Sequence, residues 1–428
     1  MRRKPTSKVA RGTFLPSSLD KGTLGEFGRT INFSALNAVA IGSGIFETEQ
    51  AIRAGRVRKV LLPIYHSGTV SYDLTAIGRL VHELLIFTLV EDIEVDFRPV
   101  KRTETASEGD GWERSVSNIC LFSGGTDSYA GVLLTKEVLS DVESVFCAHS
   151  DQARIIHIVS NLERKFLRRR HIDVFKVRAP GIGARGYAQL RGFLYLLAAA
   201  AAAQKFGSKR IVVTECGPTM YQPRFSPLDS VTMTTHPFVM RTAAEITNLL
   251  LGREVKVITP FENLTKAEVI AVCPAKEGLK YTHSCISQRF GTHDGTCYGC
   301  VIRRLATIAA GVEDVKYNKN PIADPGARAG NLYSLLVFCY DVLSSFNEME
   351  EYETGTINAY GKQDLFRRFA LDNFAAIQVL LSENKRVVRP IRDMYSSLAQ
   401  KLGARVFEDR LRELANPTVV PNFGKQAS

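Results

Sequence analysis

Nowhere does this chain of 428 residues carry the roughly 18 consecutive apolar residues that a membrane span needs. The longest candidate, Gly192 to Ala203, is too short, and its six consecutive alanines predict a buried helix of a soluble fold. The basic start (Arg2, Arg3, Lys4) lacks an apolar signal core, which predicts a cytoplasmic protein with no membrane partner. Cysteine is sparse: there are eight, most of them alone in apolar surroundings as Cys120 and Cys339 are. That argues against a disulfide framework and for a reducing compartment. No internal repeat occurs, and no low-complexity segment beyond the alanine run.

What is present is ordinary globular composition, 45% hydrophobic and 23% charged, which excludes wholesale disorder. The length fits two or three domains. With 55 Lys+Arg against 44 Asp+Glu the formal net charge is +11. That surplus suits nucleic acid, nucleotide or an acidic protein partner, and a solvated surface explains it equally well.

Three regions differ in texture. In residues 1–115, a Gly/Ser-rich start precedes a strand over Val57 to Tyr65, a helix over Asp73 to Leu89 and a strand over Ile93 to Val100; we read this as an α+β accessory region. The charged stretch Lys101 to Glu113 reads as a linker. Residues 116–310 alternate strand and helix: Asn118 to Phe122, Asp127 to Val138, Val142 to Ala148, Ile155 to Arg169, Val174 to Val177, Leu190 to Phe206 and Arg210 to Thr214. Such alternation predicts an α/β domain, a central parallel sheet with helices on both faces. Residues 311–428 read as helical, through Leu332 to Ser345, Gln363 to Leu381 and Ile391 to Leu402, with a frayed tail from Asn422.

The sharpest feature is Cys120-Leu-Phe-Ser-Gly-Gly-Thr-Asp-Ser-Tyr129, an apolar strand running through Ser123, Gly124, Gly125, Thr126, Asp127 and Ser128 into a helix. Two glycines let backbone approach a ligand without Cβ atoms in the way, and the helix start offers unpaired N–H groups to an anion. Asp127 would repel a bare phosphate, so its presence suggests Mg²⁺ between the two. No Lys-Ser/Thr follows the glycines, so this is not a Walker loop. A plain strand–turn–helix connection is the competing explanation. Downstream, Cys285, Cys297 and Cys300 form three quarters of a zinc site, with Asp294 and His293 the nearest fourth ligands and His283 behind them. Three buried thiols without metal is the alternative there.

The glycine turn resembles the SGGxDS signature of the PP-loop ATP pyrophosphatases, whose fold is of the Rossmann-like HUP type. That resemblance implies ATP held by Ser123 to Ser128, transfer of AMP to a substrate oxygen and release of pyrophosphate. The cysteine spacing is similar to the C-x8-C-x2-C-x2-C of the 7-cyano-7-deazaguanine synthase (QueC) family, with Asp294 standing where the second cysteine would be. Ile258 to Glu268 resembles that family's TP…L-x-KAE segment, which implies a phosphate-reaching role for Lys266. Gln189-Leu-Arg191-Gly192 sits where the family has a Gly-Arg-Asn turn, so Arg191 would be an active-site cation. Ile211 to Gly217 is similar to the strand and loop leading to the purine-like substrate, and His149 and Asp151 would border the adenosine. The resemblance covers about Asn118 to Leu305.

The family implies adenylation of a 7-deazaguanine-type carboxylate, with ATP, Mg²⁺ and Zn²⁺, followed by amide formation. A QueC-like chain of this long build is similar to the QueC-like component of Qat anti-phage defence operons, which implies conjugation to a protein partner from the same operon. Three alternatives stand beside this: a true nitrile synthase using ammonia, a tRNA-modifying PP-loop enzyme, and an inactive nucleotide-binding scaffold.

Overall fold

The computed structural model describes residues 13–16, 32–53, 57–65, 72–100, 115–149, 153–179, 189–225, 233–286, 292–324 and 329–424. The expected linker at Lys101 to Glu113 lies outside them. At the centre is a five-stranded, wholly parallel sheet of β4 (Asn118–Leu121), β5 (Val142–His149), β6 (Val174–Ala179), β7 (Arg210–Val212) and β8 (Lys256–Ile258). Its spatial order is β6-β5-β4-β7-β8. The connections therefore run outward in opposite directions from β4 and β7, and a crevice opens between their carboxyl ends, where ligands bind in open α/β sheets. The connecting helices include α3 (Thr126–Leu139), α4 (Ala153–Leu162), α5 (Arg191–Phe206), α6 (Gly217–Tyr221) and α7 (Pro237–Leu251). A π-helical turn, Glu163–Leu167, extends α4.

Alternate strand residues serve different layers. Ile119, Val145, Ile211 and Val213 join one core, whereas Cys120, Phe122 and Val212 join the other. Both faces are buried, which is why these strands read as continuous apolar runs.

The first core is shared between the N-terminal region and the face of the central sheet covered by α5 and α7. There β1 (Thr13–Phe14), α1 (Phe33–Arg53), β2 (Lys59–Tyr65), α2 (Leu74–Leu89) and β3 (Glu94–Val100) form a second parallel sheet, order β1-β2-β3. The α+β expectation for this region is thus corrected: among the described residues both its strand pairs are parallel, because helices return the chain between them. Helix α1, read in the sequence only as a Gly/Ser-rich start, packs along α5. A Cβ on Gly42 would lie 3.2 Å from Leu197 Cβ, so glycine and the alanine run together allow the close approach. Residues 35–49 of α1 are all buried, and a helix buried on every side carries no apolar stripe to detect.

The second core takes α3, α8 (Lys266–Ala271), α9 (Tyr298–Ala309) and the helices of the last region: α10 (Gly330–Ser344), α11 (Glu351–Ala359), α12 (Gln363–Ser382), α13 (Arg389–Leu402) and α14 (Arg405–Ala415). The C-terminal region is helical, as expected. The tail departs from the expected fraying at its start: Phe423 is buried and the Asn422 N–H donates to Pro260 O at 3.0 Å. Among the described residues, no helix is long and apolar enough to cross a membrane.

Candidate functional site

The glycine turn leaves the carboxyl end of β4 at the crevice. Gly124 has φ +76°, a left-handed conformation that favours glycine, and Gly125 caps α3 with no side-chain cap hydrogen bond. The first-turn N–H groups of α3 are therefore left for an outside acceptor, with the positive end of the helix dipole behind them. Ser123 and Ser128 close the turn on itself: the Ser123 N–H donates to Ser128 Oγ at 3.2 Å, and the two hydroxyls lie 3.1 Å apart.

Asp127 and Lys266 meet over this turn. Lys266 Nζ donates to Asp127 Oδ1 at 2.6 Å, and the Cys216 N–H donates to Asp127 Oδ2 at 3.3 Å. Burial works against the Lys266 ammonium, but Asp127 and its neighbours more than offset this and raise its pKa. Lys266 is the first residue of α8 because Thr265 makes a capping box with Glu268, each side chain bonding the other's backbone N–H. The helix cap at Thr265 and the expected functional lysine thus share one piece of local structure.

Glu215 and Arg191 complete the cluster. Glu215 follows β7, one residue before the Cys216 amide that binds Asp127. Its carboxyl is pushed up to about 7, first by burial and then by Asp127, with Lys266 and Arg191 pulling the other way. Glu215 lies within the segment Ile211 to Gly217 but is not among the residues expected from the sequence; an acidic residue just after an apolar strand is its signal there. Because its folded pKa lies above the ordinary 4.5, the protonated group favours folding fully below about pH 4.5. That contribution is lost as pH rises through about 7. Glu215→Gln should accordingly be more stable than the parent at pH 8, by about 1–2 kcal/mol for a half-buried group, and not at pH 5. Urea melts at the two pH values check this; equal shifts at both would contradict it.

His149 is the last residue of β5, opposite Ala179 in register; its side chain and the whole of Asp151 lie outside the described residues.

The cysteine cluster stands directly behind the turn. Cys285, Asp294, Cys297 and Cys300 are all buried, with ligand atoms within 4.8 Å of one another. Zinc–sulfur bonds of about 2.3 Å imply a tetrahedron edge of about 3.8 Å. Cys297 Sγ and Cys285 Sγ are 3.9 Å apart, so the donor set could bind a metal and is compatible with zinc. The Cys297 thiol is brought down to about 6, chiefly by a hydrogen bond from Cys300. Asp294 Oδ1 accepts from the Thr296 and Cys297 N–H groups at 2.8 and 3.1 Å, which pins the carboxylate beside the thiols.

His293 is not in this set. Its Nε2 faces the Ser284 N–H at 3.3 Å and Arg303 Nη1 at 3.5 Å, and burial followed by the Arg303 charge lowers its pKa to about 4. His283, offered behind it, instead donates its backbone N–H to Gly124 O at 2.9 Å.

The segment Thr282-His283-Ser284 links the two features. Thr126 Oγ1 lies 3.3 Å from Thr282 Oγ1 and 3.2 Å from Ser284 Oγ. Arg303, fully buried on α9, donates to Thr282 O at 2.9 Å, to Leu279 O at 2.8 Å and to Asp314 at 2.8 Å. A metal at the cysteines would therefore stiffen the strut that holds the glycine turn. No protein-family model and no curated protein matches this chain.

Proposed function

We propose that this is a PP-loop ATP pyrophosphatase similar to QueC, which adenylates a 7-deazaguanine-type carboxylate and passes the acyl group to an amine. The observation that carries the reading is the Asp127–Lys266 pair, 2.6 Å apart, over a left-handed glycine turn at the amino end of α3. An anion with several charges is what such a turn and its cations suit. A triphosphate is the member of that class that can transfer AMP and release pyrophosphate, as in the order of events below.

A carboxylate oxygen attacks the α-phosphorus of ATP, the bond to the β-phosphate breaks, and pyrophosphate leaves. An amine then attacks the acyl carbon, the C–O bond to AMP breaks, and the amine's proton is lost to solvent or base. The first-turn N–H groups of α3 and the Lys266 ammonium would take up charge on the leaving pyrophosphate, and Arg191 would lie beside the acid. Asp127 is the residue suited to Mg²⁺, which supplies further neutralisation of the phosphates. Cys285, Asp294, Cys297 and Cys300 would hold Zn²⁺ as a structural ion with no open position.

The long outer regions favour a protein acceptor from a neighbouring gene, in the manner of anti-phage relatives, over free ammonia. Thiolation of tRNA is disfavoured by Cys120: it is fully buried, and burial pushes its thiol up to about 12, against the thiolate a sulfur relay needs.

The test is incubation with ATP, 7-carboxy-7-deazaguanine and the neighbouring gene product. Pyrophosphate, AMP and a partner heavier by the acyl group are expected. Free nitrile with unmodified partner would point to the synthase, and no pyrophosphate at all would end the enzymatic reading. For the metal, elemental analysis should find about one zinc per chain, falling to near zero in Cys300→Ser together with a lower Tm. A metal-free parent of unchanged Tm in strong chelator would count against a zinc site.

A further inference from the structure

Several titratable groups are buried where the proposed chemistry does not use them. Glu49, on α1 of the N-terminal region, is fully buried. Its two carboxylate oxygens accept from the Gln189 N–H at 2.6 Å and the Leu190 N–H at 2.9 Å. Leu190 is the N-cap of α5 and has no side-chain cap hydrogen bond of its own, and the next residue is Arg191. A helix start is ordinarily capped from within its own turn by Ser, Thr, Asp or Asn. Here a carboxylate from another region instead holds the N–H groups of the N-cap and of the residue before it, with the added attraction of the helix dipole.

The other outer region does the same at Lys266. Thr265, its N-cap, donates its hydroxyl to Asp372 on α12. Arg410 on α14 donates to Asp372 Oδ1 at 2.7 Å and to Glu268 Oε1 at 2.6 Å, and Arg368 also binds Glu268. Asp372, Arg410 and Glu268 are all buried. Both members of the capping box that orients Lys266 are therefore gripped by C-terminal helices.

We propose that Glu49 and the Asp372–Arg410 pair are positioning residues, by which the two outer regions hold the site cations Arg191 and Lys266; this rests on the function proposed above. The outer regions are then parts of the site, whatever else they bind. A cation displaced by about 1 Å costs on the order of 10²-fold in rate, whereas ground-state binding of a flexible triphosphate changes little.

Thr265→Val in the full chain separates this from a purely structural role, with Thr265→Ser as the conservative control. Per folded molecule, Thr265→Val should lower kcat for pyrophosphate release by about 10–100-fold with KM for ATP within about threefold, and Thr265→Ser should stay within about threefold of the parent. Glu49→Gln, which cannot accept both N–H groups, should behave like Thr265→Val. A second readout needs no activity. Reductive methylation of Lys266, followed by peptide mass, should run about tenfold faster once the cap is loosened. If the parent releases no pyrophosphate, the proposed function fails and the labelling alone decides the positioning role. Unchanged Lys266 labelling in Thr265→Val, or an unchanged kcat in an active enzyme, overturns it. Should Thr265→Val not fold, Asp372→Asn is read in the same two ways.

Discussion

Lys266→Ala should lower pyrophosphate release from ATP by about 10²–10³-fold, the largest loss expected from any single change in the site. Two effects act together. The ammonium that would meet the leaving pyrophosphate is removed, and Asp127, only 4% exposed, loses the partner now 2.6 Å away. The second effect can be separated from the first. Lys266→Ala combined with Asp127→Asn removes both charges, so it should recover folding stability but not turnover. A coupled assay of pyrophosphate at saturating and limiting ATP reads the first, and thermal melts read the second. Retention of more than about a tenth of the parent rate would mean that the triphosphate sits elsewhere.

Arg410→Ala should be the most destabilising single substitution outside the apolar cores, by about 3–5 kcal/mol. Arg410 is buried and bridges Asp372, Glu268 and Glu413, at 2.7, 2.6 and 2.7 Å. Deleting one partner of a buried network strands the others, and that desolvation cost exceeds the attraction gained when the network formed. Burial already pushes the Asp372 carboxyl up to about 6 despite the opposing pull of Arg410, so the position disfavours an unpaired charge. Arg410→Ala with Asp372→Asn should recover part of the loss. Urea unfolding of the two variants is the check; a loss below about 1 kcal/mol would show that the network is solvated and weak.

Much of the central architecture could be read from residue order. The strands β4, β5, β6 and β7 were each expected within a few residues, because burial on both faces makes each a short apolar run flanked by polar turns. The turn at Ser123 to Ser128 and the cysteine spacing were equally legible, since both are local: neighbours along the chain are neighbours in space. Asp294 was one of three candidate fourth ligands, beside His293 and His283, and the folded chain brings Asp294 to the thiols. Asp294 points at the thiols, whereas His293 turns to Ser284 and Arg303. Adjacent residues on extended chain face opposite ways, and which one faces the sulfurs depends on how the whole loop is seated.

Other features left no local trace. Helix α1 has apolar residues on every side, so its burial between α5 and the second sheet could not be inferred from periodicity. The parallel pairing of β1, β2 and β3 depends on the hand and reach of the connecting helices. Glu49 looked like one acid among many until α1 brought it to the start of α5, 140 residues away. Asp372 and Arg410 reach Thr265 and Glu268 across separations of 107 and 142 residues.

The chain's order alone thus determined every strand but the short β1 and β8, the glycine turn and the thiols, because hydrophobic patterning and turn chemistry act over a few residues. Only the tertiary structure decided which buried charges face one another. Coulomb attraction and desolvation depend on distance and burial, and neither is written in the spacing of residues along a chain.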